Sequence, residues 1–369
     1  MAALSIGALW LPWPFAWIFG AWSLYWLVCG VRWKSRAGKL VALSLFATAL
    51  MLTIGEVTLL VKPGIFTSGR FEGTYTTGDL WAPQPDLGYA PAPGLKVEAR
   101  RVVNEETLYV AHYSYDEHRM RVAPPVDVDP PEGAILCFGG SFTLGEGVDD
   151  EFAYPYRVGE LSGHRYEVRN FGFHGYGAHQ SLAALQSGLV DKVLHSAPKL
   201  ALYLAIPDHG ARVSGRKAWD AHGPWYRVAD GKVERAGAFH DRPAAAIGSR
   251  VWISKQLYKS ALFGRLRPEP YQVLDSELRN LEAVLGELKD ELVRRYPDVQ
   301  FHVLAWEGPP NWWASMDRVR ERGIEVHKIR DMVPGLAEGA SIPTIKHDPH
   351  PTREVYDAIA RYVVEHLLP

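Results

Sequence analysis

A short apolar run leads directly into two glycines and a serine in the sequence Ala134-Ile135-Leu136-Cys137-Phe138-Gly139-Gly140-Ser141-Phe142-Thr143. Five consecutive apolar residues are typical of a parallel strand that is buried on both faces. The two glycines permit a tight turn after the strand, which would present the Ser141 hydroxyl at the carboxyl end of a sheet. Taken alone, Ser141 is equally typical of a helix N-cap, so its meaning depends on the rest of the chain.

Strand and helix patterns alternate after this run. The predicted elements are helices at 152–161, 178–194, 274–292 and 352–368 and strands at 166–170, 200–206, 300–305 and 324–329. This alternation predicts an α/β fold, a doubly wound three-layer α/β/α sandwich with a mostly parallel sheet. Residues 210–250 break the rhythm and are predicted to be an insertion. Within them, Trp225–Glu234 has the pattern of a β-hairpin.

The segment before this domain, residues 63–132, is rich in glycine, proline and aromatic residues. One strand pattern is clear in it, Leu108–Tyr115, so we expect a small β-containing lead-in that lies against the main domain. The run Pro124–Pro131 contains four prolines and predicts a stiff, extended linker. The main domain is therefore expected to span residues 133–369.

Three further polar motifs follow predicted strands or precede the closing helix. They are Asn170-Phe171-Gly172-Phe173-His174-Gly175-Tyr176-Gly177, Ile206-Pro207-Asp208-His209 and Asp348-Pro349-His350-Pro351. The loops after parallel strands meet at one edge of the sheet, so these motifs are expected to converge on Ser141. A serine, a histidine and a carboxylate supply the nucleophile, the base and the orienting group of acyl-transfer catalysis. His347 is the alternative to His350 as the base.

The four motifs, in this order, resemble the blocks of the SGNH/GDSL hydrolase superfamily over about residues 133–369. The resemblance implies that Ser141 is the nucleophile, that His350 is the base and that Asp348 orients it. It also implies an oxyanion hole that includes the backbone amides of Ser141 and Gly175. The same superfamily contains extracytoplasmic O-acetyltransferases, which modify polysaccharides with the same triad.

Three features depart from the blocks of that superfamily. The step from Asp348 to His350 is one residue shorter than the D-x-x-H spacing of many soluble members. Gly140 stands where the GDS form has an aspartate, and the third block has Asp208-His209 where an asparagine would donate to the oxyanion. An ionised Asp208 would repel an oxyanion. Three alternatives are therefore open. Asp208 is protonated, His209 donates in the place of the asparagine, or the donor of the third block is absent. Loss of one such donor typically costs ~10²–10³ in rate.

The N-terminal part of the chain has the composition of two membrane spans. No charged residue occurs before Arg32, and the predicted spans are about 14–31 and 40–61. The loop Arg32–Lys39 carries only basic charges, which places it in the cytoplasm by the positive-inside rule and the catalytic domain outside it. Glu56 interrupts the second span near its outer end, where its carboxylate is expected to reach the headgroup layer.

Composition and short motifs exclude several other classes of function. A formal net charge of -2 and the lack of a basic run beyond the membrane segment argue against nucleic acid as a partner. Two cysteines, Cys29 in an apolar span and Cys137 in a buried strand, make a disulfide between them implausible. No HExxH, EF-hand or paired Cys/His spacing indicates a metal, and no cofactor is predicted.

The sequence therefore predicts a membrane-anchored serine esterase that acts outside the cytoplasm on an O-acyl glycan or a lipid-linked ester. An O-acyltransferase with the same triad, and a non-catalytic assembly or binding protein that kept the fold, are the alternatives. The sequence predicts no particular protein partner for this chain. Five tryptophans could line a platform for sugar, but core packing is the expected role of most of them; they are Trp225, Trp252, Trp306, Trp312 and Trp313.

Overall fold

The computed structural model of the protein describes residues 14–61, 70–75, 78–103, 105–229, 231–243, 260–266 and 273–369. The chain forms two compact units. Met1–Ser68 and Pro243–Gln272 make up the first unit, and Gly69–Arg242 and Val273–Pro369 make up the second. Most of the predicted lead-in and most of the predicted hydrolase domain thus lie in the same unit, whereas Pro243–Gln272 belongs to the first unit.

The helices of the described residues are α1 (Pro14–Arg32), α2 (Arg36–Val61), α3 (Ser141–Leu144), α4 (Tyr154–Leu161), α5 (Ala178–Gln186), α6 (Asp208–Val213), α7 (Ala261–Leu266), α8 (Asp275–Arg295), α9 (Pro310–Glu321), α10 (Ile329–Met332) and α11 (Arg353–His366). The strands are β1 (Arg70–Tyr75), β2 (Ala82–Gln84), β3 (Gly88–Ala90), β4 (Lys96–Val103), β5 (Glu106–Ser114), β6 (Ala134–Gly139), β7 (Glu167–Asn170), β8 (Pro198–Ala205), β9 (Pro224–Ala229), β10 (Lys232–Ala238), β11 (Gln300–Ala305) and β12 (Glu325–Lys328). Short 3₁₀ turns lie at Asp150–Phe152, Asp191–Val193, Ala218–Asp220 and Phe239–Asp241.

The first unit is built on the helices α1 and α2, which are long and apolar enough to cross a membrane. Their bounds agree with the predicted spans. Ser23 of α1 donates from its hydroxyl to the carbonyl of Phe19, and its Oγ lies 3.5 Å from Thr53 Oγ1 of α2. Small hydroxyl residues at such a contact allow two apolar helices to pack closely.

Glu56 of α2 is fully buried within the first unit. Its carboxylate accepts hydrogen bonds from Ser260 Oγ at 2.8 Å and from the amides of Ala261 and Leu262 at 2.8 and 2.9 Å. The first amides of a helix have no partner inside the helix, so a carboxylate satisfies them. The expectation that Glu56 reaches the headgroup layer is thereby corrected, because its carboxylate holds the start of α7.

A five-stranded parallel sheet in the order β7-β6-β8-β11-β12 forms the centre of the second unit. This confirms the predicted doubly wound α/β fold. The chain reverses its direction across the sheet between β6 and β8, and ligands of such sheets bind at this switch point, beyond the carboxyl ends of the strands. Ser141 follows β6 directly, so the fold alone places it at the switch point.

The two faces of the sheet are covered by separate helices, because side chains alternate along each strand. On β6, Leu136 and Phe138 face the core formed with α5, α8 and α9. Ile135 and Cys137 face the opposite core, formed with α4 and α11. All four residues are fully buried, as predicted for a strand between two helical layers.

The lead-in packs on the loops at the carboxyl edge of the sheet. β1, β4 and β5 form an antiparallel sheet, and β2 and β3 form a small hairpin. Tyr109 and Tyr113 of β5 share one apolar cluster with Leu144, Phe173 and Tyr176 of the motif loops. The lead-in is therefore part of the surroundings of Ser141.

Some predicted elements differ from those observed. The helix predicted at 178–194 ends at Gln186, because Gly188 takes a positive φ of 74° and the amide of Leu189 bonds back to the carbonyl of Ala184. This is the pattern of a helix stop at glycine. β4 and α9 were not predicted, whereas the hairpin in residues 210–250 is confirmed as β9 and β10.

Candidate active site

Ser141 is the first residue of α3 and follows two glycines. At either glycine a larger residue would force the neighbouring atoms to move. A Cβ on Gly139, which has a φ of 145°, would lie 2.2 Å from Thr143 Oγ1. The Thr143 hydroxyl donates to the carbonyl of Phe138 at 3.0 Å and ties the turn to the end of β6. Asn170, the last residue of the neighbouring strand β7, also stabilises this turn, because its side-chain amide donates to the carbonyl of Thr143 at 3.1 Å.

Ser141, His350 and Asp348 form one hydrogen-bonded chain. The distance from Ser141 Oγ to His350 Nε2 is 2.8 Å. His350 Nδ1 is hydrogen-bonded to Asp348 Oδ1, and the same oxygen accepts from the backbone amide of His350 at 3.0 Å. The structure thus brings together the three residues that the sequence singled out. His347 makes no part of this chain.

The loop before α11 explains why a spacing of two residues between Asp348 and His350 is sufficient. An aspartate side chain that accepts from the amide two residues further on forms a tight Asx turn, which puts both side chains on one side of the loop. The amide of Asp348 bonds to the carbonyl of Ile345, and the amide of Ile345 bonds to the carbonyl of His350, each at 2.9 Å. Asp348 Oδ2 lies 3.6 Å from Arg101 Nε of β4.

Glu146 and His174 also belong to this site, although no sequence pattern singles them out. Glu146 Oε2 lies 2.7 Å from His174 Nδ1 and 3.4 Å from His350 Nε2. Burial alone would raise the pKa of Glu146, but His350 and His174 hold it well below its usual range. Burial opposes the charged form of His350 as well, yet the carboxylates of Glu146 and Asp348 raise its pKa above the ordinary value.

Asp208 lies among cations. Its carboxylate accepts from Arg212 Nε at 2.9 Å, and Lys217 Nζ lies 2.9 Å away. Burial favours the neutral acid, but Arg212 and Lys217 outweigh it and lower the pKa of Asp208. The group is therefore ionised and can only accept hydrogen bonds, so the geometry does not favour a protonated Asp208 as an oxyanion donor.

His209 has a free ring nitrogen beside the nucleophile turn. Its Nδ1 is hydrogen-bonded to Tyr203 Oη at 2.7 Å, while its Nε2 is buried and has no hydrogen-bond partner among the described residues. Burial, together with Arg212, holds the pKa of His209 well below its usual range, so the ring is neutral. Burial also raises the pKa of Tyr203, which keeps its proton. When Tyr203 donates to Nδ1, the proton of His209 is on the free Nε2.

The same neighbours explain Gly140. A Cβ at this position would lie 2.7 Å from Arg212 Nη1, 2.9 Å from the carbonyl of Tyr176 and 3.1 Å from His209 Nε2. The Arg212 guanidinium also donates from Nη1 to that carbonyl at 2.8 Å. Since this space is filled, an aspartate of the GDS form does not fit here. His209 Nε2 therefore lies against the residue that precedes Ser141.

Gly175 lies on the loop after β7 with a φ of 73°, a region that favours glycine. A Cβ there would lie 2.5 Å from Trp219 Nε1 and 2.8 Å from Tyr89 Oη. Tyr89 also donates to the carbonyl of His174 at 2.8 Å and so fixes the loop. Gly175 thus lies on a loop that is fixed in place, and its role as an oxyanion donor stays a prediction.

Two exposed tryptophans flank this loop, and neither is among those considered from the sequence. Trp81 is 46% exposed, with its ring centroid 5.5 Å from that of His174, and Trp219 is 53% exposed above Gly175. Trp312, by contrast, is fully buried in the core, and Trp306 packs edge-on against Phe142. Trp225 lies beside Arg242, and Trp313 packs against the core that contains α5, α8 and α9, whereas Trp252 lies outside the described residues.

No protein-family model and no curated protein matches the chain. Among solved structures it is similar to a protein described as lipolytic and of the G-D-S-L family from Desulfitobacterium hafniense DCB-2, at 11% identity and a TM-score of 0.36 over 63% of this chain and 99% of the other. It is similar to an acetyl xylan esterase from the rumen bacterium Butyrivibrio proteoclasticus, at 10% identity and a TM-score of 0.35 over 65% of this chain and 64% of the other. It is also similar to a family two carbohydrate esterase from Clostridium thermocellum in complex with cellohexaose. The identity is 9% and the TM-score 0.37, over 80% of this chain and 98% of the other.

The first of these proteins is of the G-D-S-L family that the sequence motifs resemble. At such low identities and with TM-scores below 0.5, the likenesses concern the fold alone and carry no argument about chemistry. The chemistry of the site follows from the atoms of this chain.

Proposed function

We propose that the second unit is a serine esterase that hydrolyses O-acyl esters of a glycan through Ser141, His350 and Asp348. The observation that carries the proposal is the continuous hydrogen-bonded chain from Ser141 Oγ through both ring nitrogens of His350 to the buried Asp348 carboxylate. A serine hydroxyl is a weak nucleophile unless a positioned base accepts its proton. His350 is proposed as that base, with its tautomer set by the bond from Nδ1 to Asp348.

In the acylation step Ser141 Oγ attacks the ester carbonyl carbon while its proton passes to His350 Nε2. Asp348 accepts from Nδ1 and stabilises the imidazolium that forms. Collapse of the tetrahedral intermediate breaks the bond to the alcohol oxygen, which takes the proton from His350 as it leaves. In the second step a water molecule attacks the acyl-serine, gives one proton to His350 and releases the carboxylic acid, and Ser141 regains its proton.

The developing oxyanion needs donors that are in place before the reaction. The backbone amides of Ser141 and Gly175 are the donors that the resemblance implies. We propose His209 Nε2–H as the third donor, in the place of the missing asparagine. Its support is the unsatisfied nitrogen itself, because a buried polar group without a partner costs free energy and is expected to gain one from the substrate.

The exposed aromatic rings beside the site favour a glycan over a lipid-linked ester as the substrate. Trp81 and Trp219 approach the loop that carries His174 and Gly175. An indole ring offers an amphipathic face whose apolar body can pack against a sugar ring. Replacement of either ring by alanine is expected to raise KM for an acylated oligosaccharide, while KM for p-nitrophenyl acetate changes little.

The helices α1 and α2 are proposed to anchor the enzyme in a membrane, with the second unit on the outer side. The support is the length and apolar composition of the two helices, together with the basic segment Arg32–Lys39, where α1 ends and α2 begins. A reporter enzyme that is active only outside the cytoplasm, fused after Pro369, is expected to be active. A reporter signal in the cytoplasm instead would reverse the proposed orientation.

Fluorophosphonate labelling of the full-length protein in detergent, followed by peptide mass spectrometry, tests the nucleophile. We expect one adduct on Ser141 and its loss in Ser141→Ala, with a matched control, Ser162→Ala, in which labelling is unchanged. A folded wild-type protein with no adduct on Ser141 contradicts both the esterase and the acyltransferase hypotheses and leaves the non-catalytic binding protein.

Product analysis with added oligosaccharide separates hydrolysis from transfer. Hydrolysis gives free carboxylic acid at a rate that does not depend on the acceptor. Acylated oligosaccharide, formed at a rate that rises with acceptor concentration, would instead assign the acyltransferase activity.

A further inference from the structure

A second cluster of chemically capable side chains lies on two neighbouring strands of the central sheet. His302 is on β11, and Glu325 and His327 are on β12, with His302 and Glu325 paired in register. Glu325 is the first residue of β12 and His302 the third of β11, whereas Ser141 follows the carboxyl end of β6. The cluster therefore lies on the two strands at the β12 edge of the sheet, two and three strands away from β6, which leads into Ser141.

The donor atoms of the three side chains point at one another. His302 Nδ1 lies 3.0 Å from His327 Nε2, and Glu325 Oε2 lies 3.5 and 3.7 Å from these two nitrogens. Around a tetrahedral Zn²⁺ with bonds of ~2.0–2.1 Å, neighbouring ligand atoms are separated by about 3.3–3.4 Å. The observed triangle of atoms brackets that spacing, so the site needs only small shifts to close on an ion.

The outer nitrogen of each imidazole has its own partner. His327 Nδ1 lies 3.0 Å from Tyr362 Oη of α11, and His302 Nε2 lies 3.4 Å from Gln300 Oε1. When the outer nitrogens donate to these oxygens, the inner nitrogens present lone pairs to each other and to the Glu325 carboxylate. In that pair of tautomers three electron-rich atoms face one another, and a cation bound between them would stabilise the arrangement. Histidines that ligate metals typically donate their other N–H to such partners.

We propose that His302, His327 and Glu325 bind a divalent transition-metal ion, Zn²⁺ by preference. Two imidazoles and a carboxylate are a ligand set that zinc accepts. The Glu325 side chain is 73% exposed, which gives the ion a path from solvent, while both histidines are largely buried. A bound ion would join β12, the edge strand of the sheet, to β11 and hold it against α11. Its role is therefore structural and separate from ester hydrolysis.

Equilibrium dialysis of the EDTA-stripped, full-length protein in detergent against micromolar Zn²⁺, with metal analysis, tests the proposal. We expect about one ion per chain, and a Tm that rises with Zn²⁺ concentration because the ion binds the folded state only. With Co²⁺ as the probe, we expect the visible absorption of a tetrahedral site. His302→Gln with His327→Gln should abolish all three signals, and His195→Gln, which changes an exposed histidine beside β7, should leave them intact.

Glu325→Gln keeps the test decisive if the double histidine variant does not fold. Its side chain is on the surface, so the variant is expected to fold like the wild type and to bind Zn²⁺ at least 10-fold more weakly. Absence of bound Zn²⁺ and of a Tm shift in the wild type overturns the proposal. Equal binding by the wild type, the Glu325→Gln variant and the double histidine variant overturns it too, since the ion would then lie elsewhere.

Discussion

Two loops at the carboxyl edge of the sheet each carry an aspartate and a histidine, and the structure gives them opposite arrangements. In the loop before α11, Asp348 bonds to both the ring and the amide of His350, and the ring points at Ser141. At the start of α6, Asp208 turns to the cations, while His209 is bonded to Tyr203 instead. The residue types are the same, but the partners differ.

The difference shows how the surroundings decide the chemistry of a histidine. Beside the carboxylates of Asp348 and Glu146, the pKa of His350 is raised, so it can take and hold a proton. Full burial, together with Arg212, lowers the pKa of His209, so the ring stays neutral and can only donate a hydrogen bond. The proposed base and the proposed oxyanion donor are thus one residue type in two different surroundings at the same edge of the sheet.

The largest effect is expected from Asp348→Asn. An amide cannot accept from Nδ1 and support the imidazolium as a carboxylate does, so kcat should fall by about 10³–10⁴-fold. Hydrolysis of p-nitrophenyl acetate by the purified protein measures it, with circular dichroism as the control for folding. A loss below about 10-fold would remove the contrast between the two loops, because Asp348 would then be no more important than Asp208.

His209→Ala is expected to lower kcat by about 10²-fold, the cost of one oxyanion donor, with little change in KM. Tyr203→Phe is the matched variant, because it leaves the His209 ring in place and removes only the group that fixes its tautomer. Its loss in kcat should be smaller than that of His209→Ala. Wild-type turnover in His209→Ala would mean that the free Nε2 has no part in the reaction.

Glu146→Gln is expected to change the pH profile more than the maximal rate. His350 acts as a base only when neutral, so its raised pKa places the acid limb of kcat/KM above the ordinary range of histidine. Without the Glu146 charge the pKa of His350 falls, and the limb should move to lower pH. The variant should therefore exceed the wild type on the acid side of the profile. An unmoved limb would show that Glu146 does not act on His350.

The smallest effect on turnover, less than about 10-fold, is expected from Asp208→Asn, which removes no donor and no base. Stability should change instead, because Arg212 and Lys217 lose their shared buried counter-charge. Removing one partner of such a pair costs about 3–5 kcal/mol. Urea unfolding measures this difference. A large loss of kcat in a folded variant would give Asp208 a direct role and undo the contrast with Asp348.

Local patterns in the sequence were sufficient to predict the fold and the residues of the proposed triad. An unbroken apolar run marks the strand before Gly139, and leucines that recur every three or four residues mark the helix predicted at 274–292. Ser141 and His350 lie next to glycine and proline signals that mark their loops. Parallel strands place those loops at one edge, which is why residues 209 positions apart could be expected to meet.

Other parts of the site could not be predicted, because their meaning depends on contacts between distant segments. Tyr203 looks like any buried strand residue until His209 is placed against its hydroxyl. Glu146 and His174 lie 28 positions apart and carry no pattern that links them. Metal motifs in sequence rely on short spacings, whereas His302 and His327 are 25 positions apart and meet only because β11 and β12 are neighbours.

The burial of Glu56 has a consequence for the release of the second unit by proteolysis, if α1 and α2 anchor the chain in a membrane as proposed. Because Pro243–Gln272 returns to the first unit, the chain passes between the two units three times, after residues 68, 242 and 272. A protease that cuts once within residues 62–69 would sever the C-terminal fragment from α1 and α2. The hydrogen bonds from Ser260, Ala261 and Leu262 to the Glu56 carboxylate would remain in place. A single cut would therefore leave the C-terminal fragment attached to α2, and its release would require that these hydrogen bonds be broken as well.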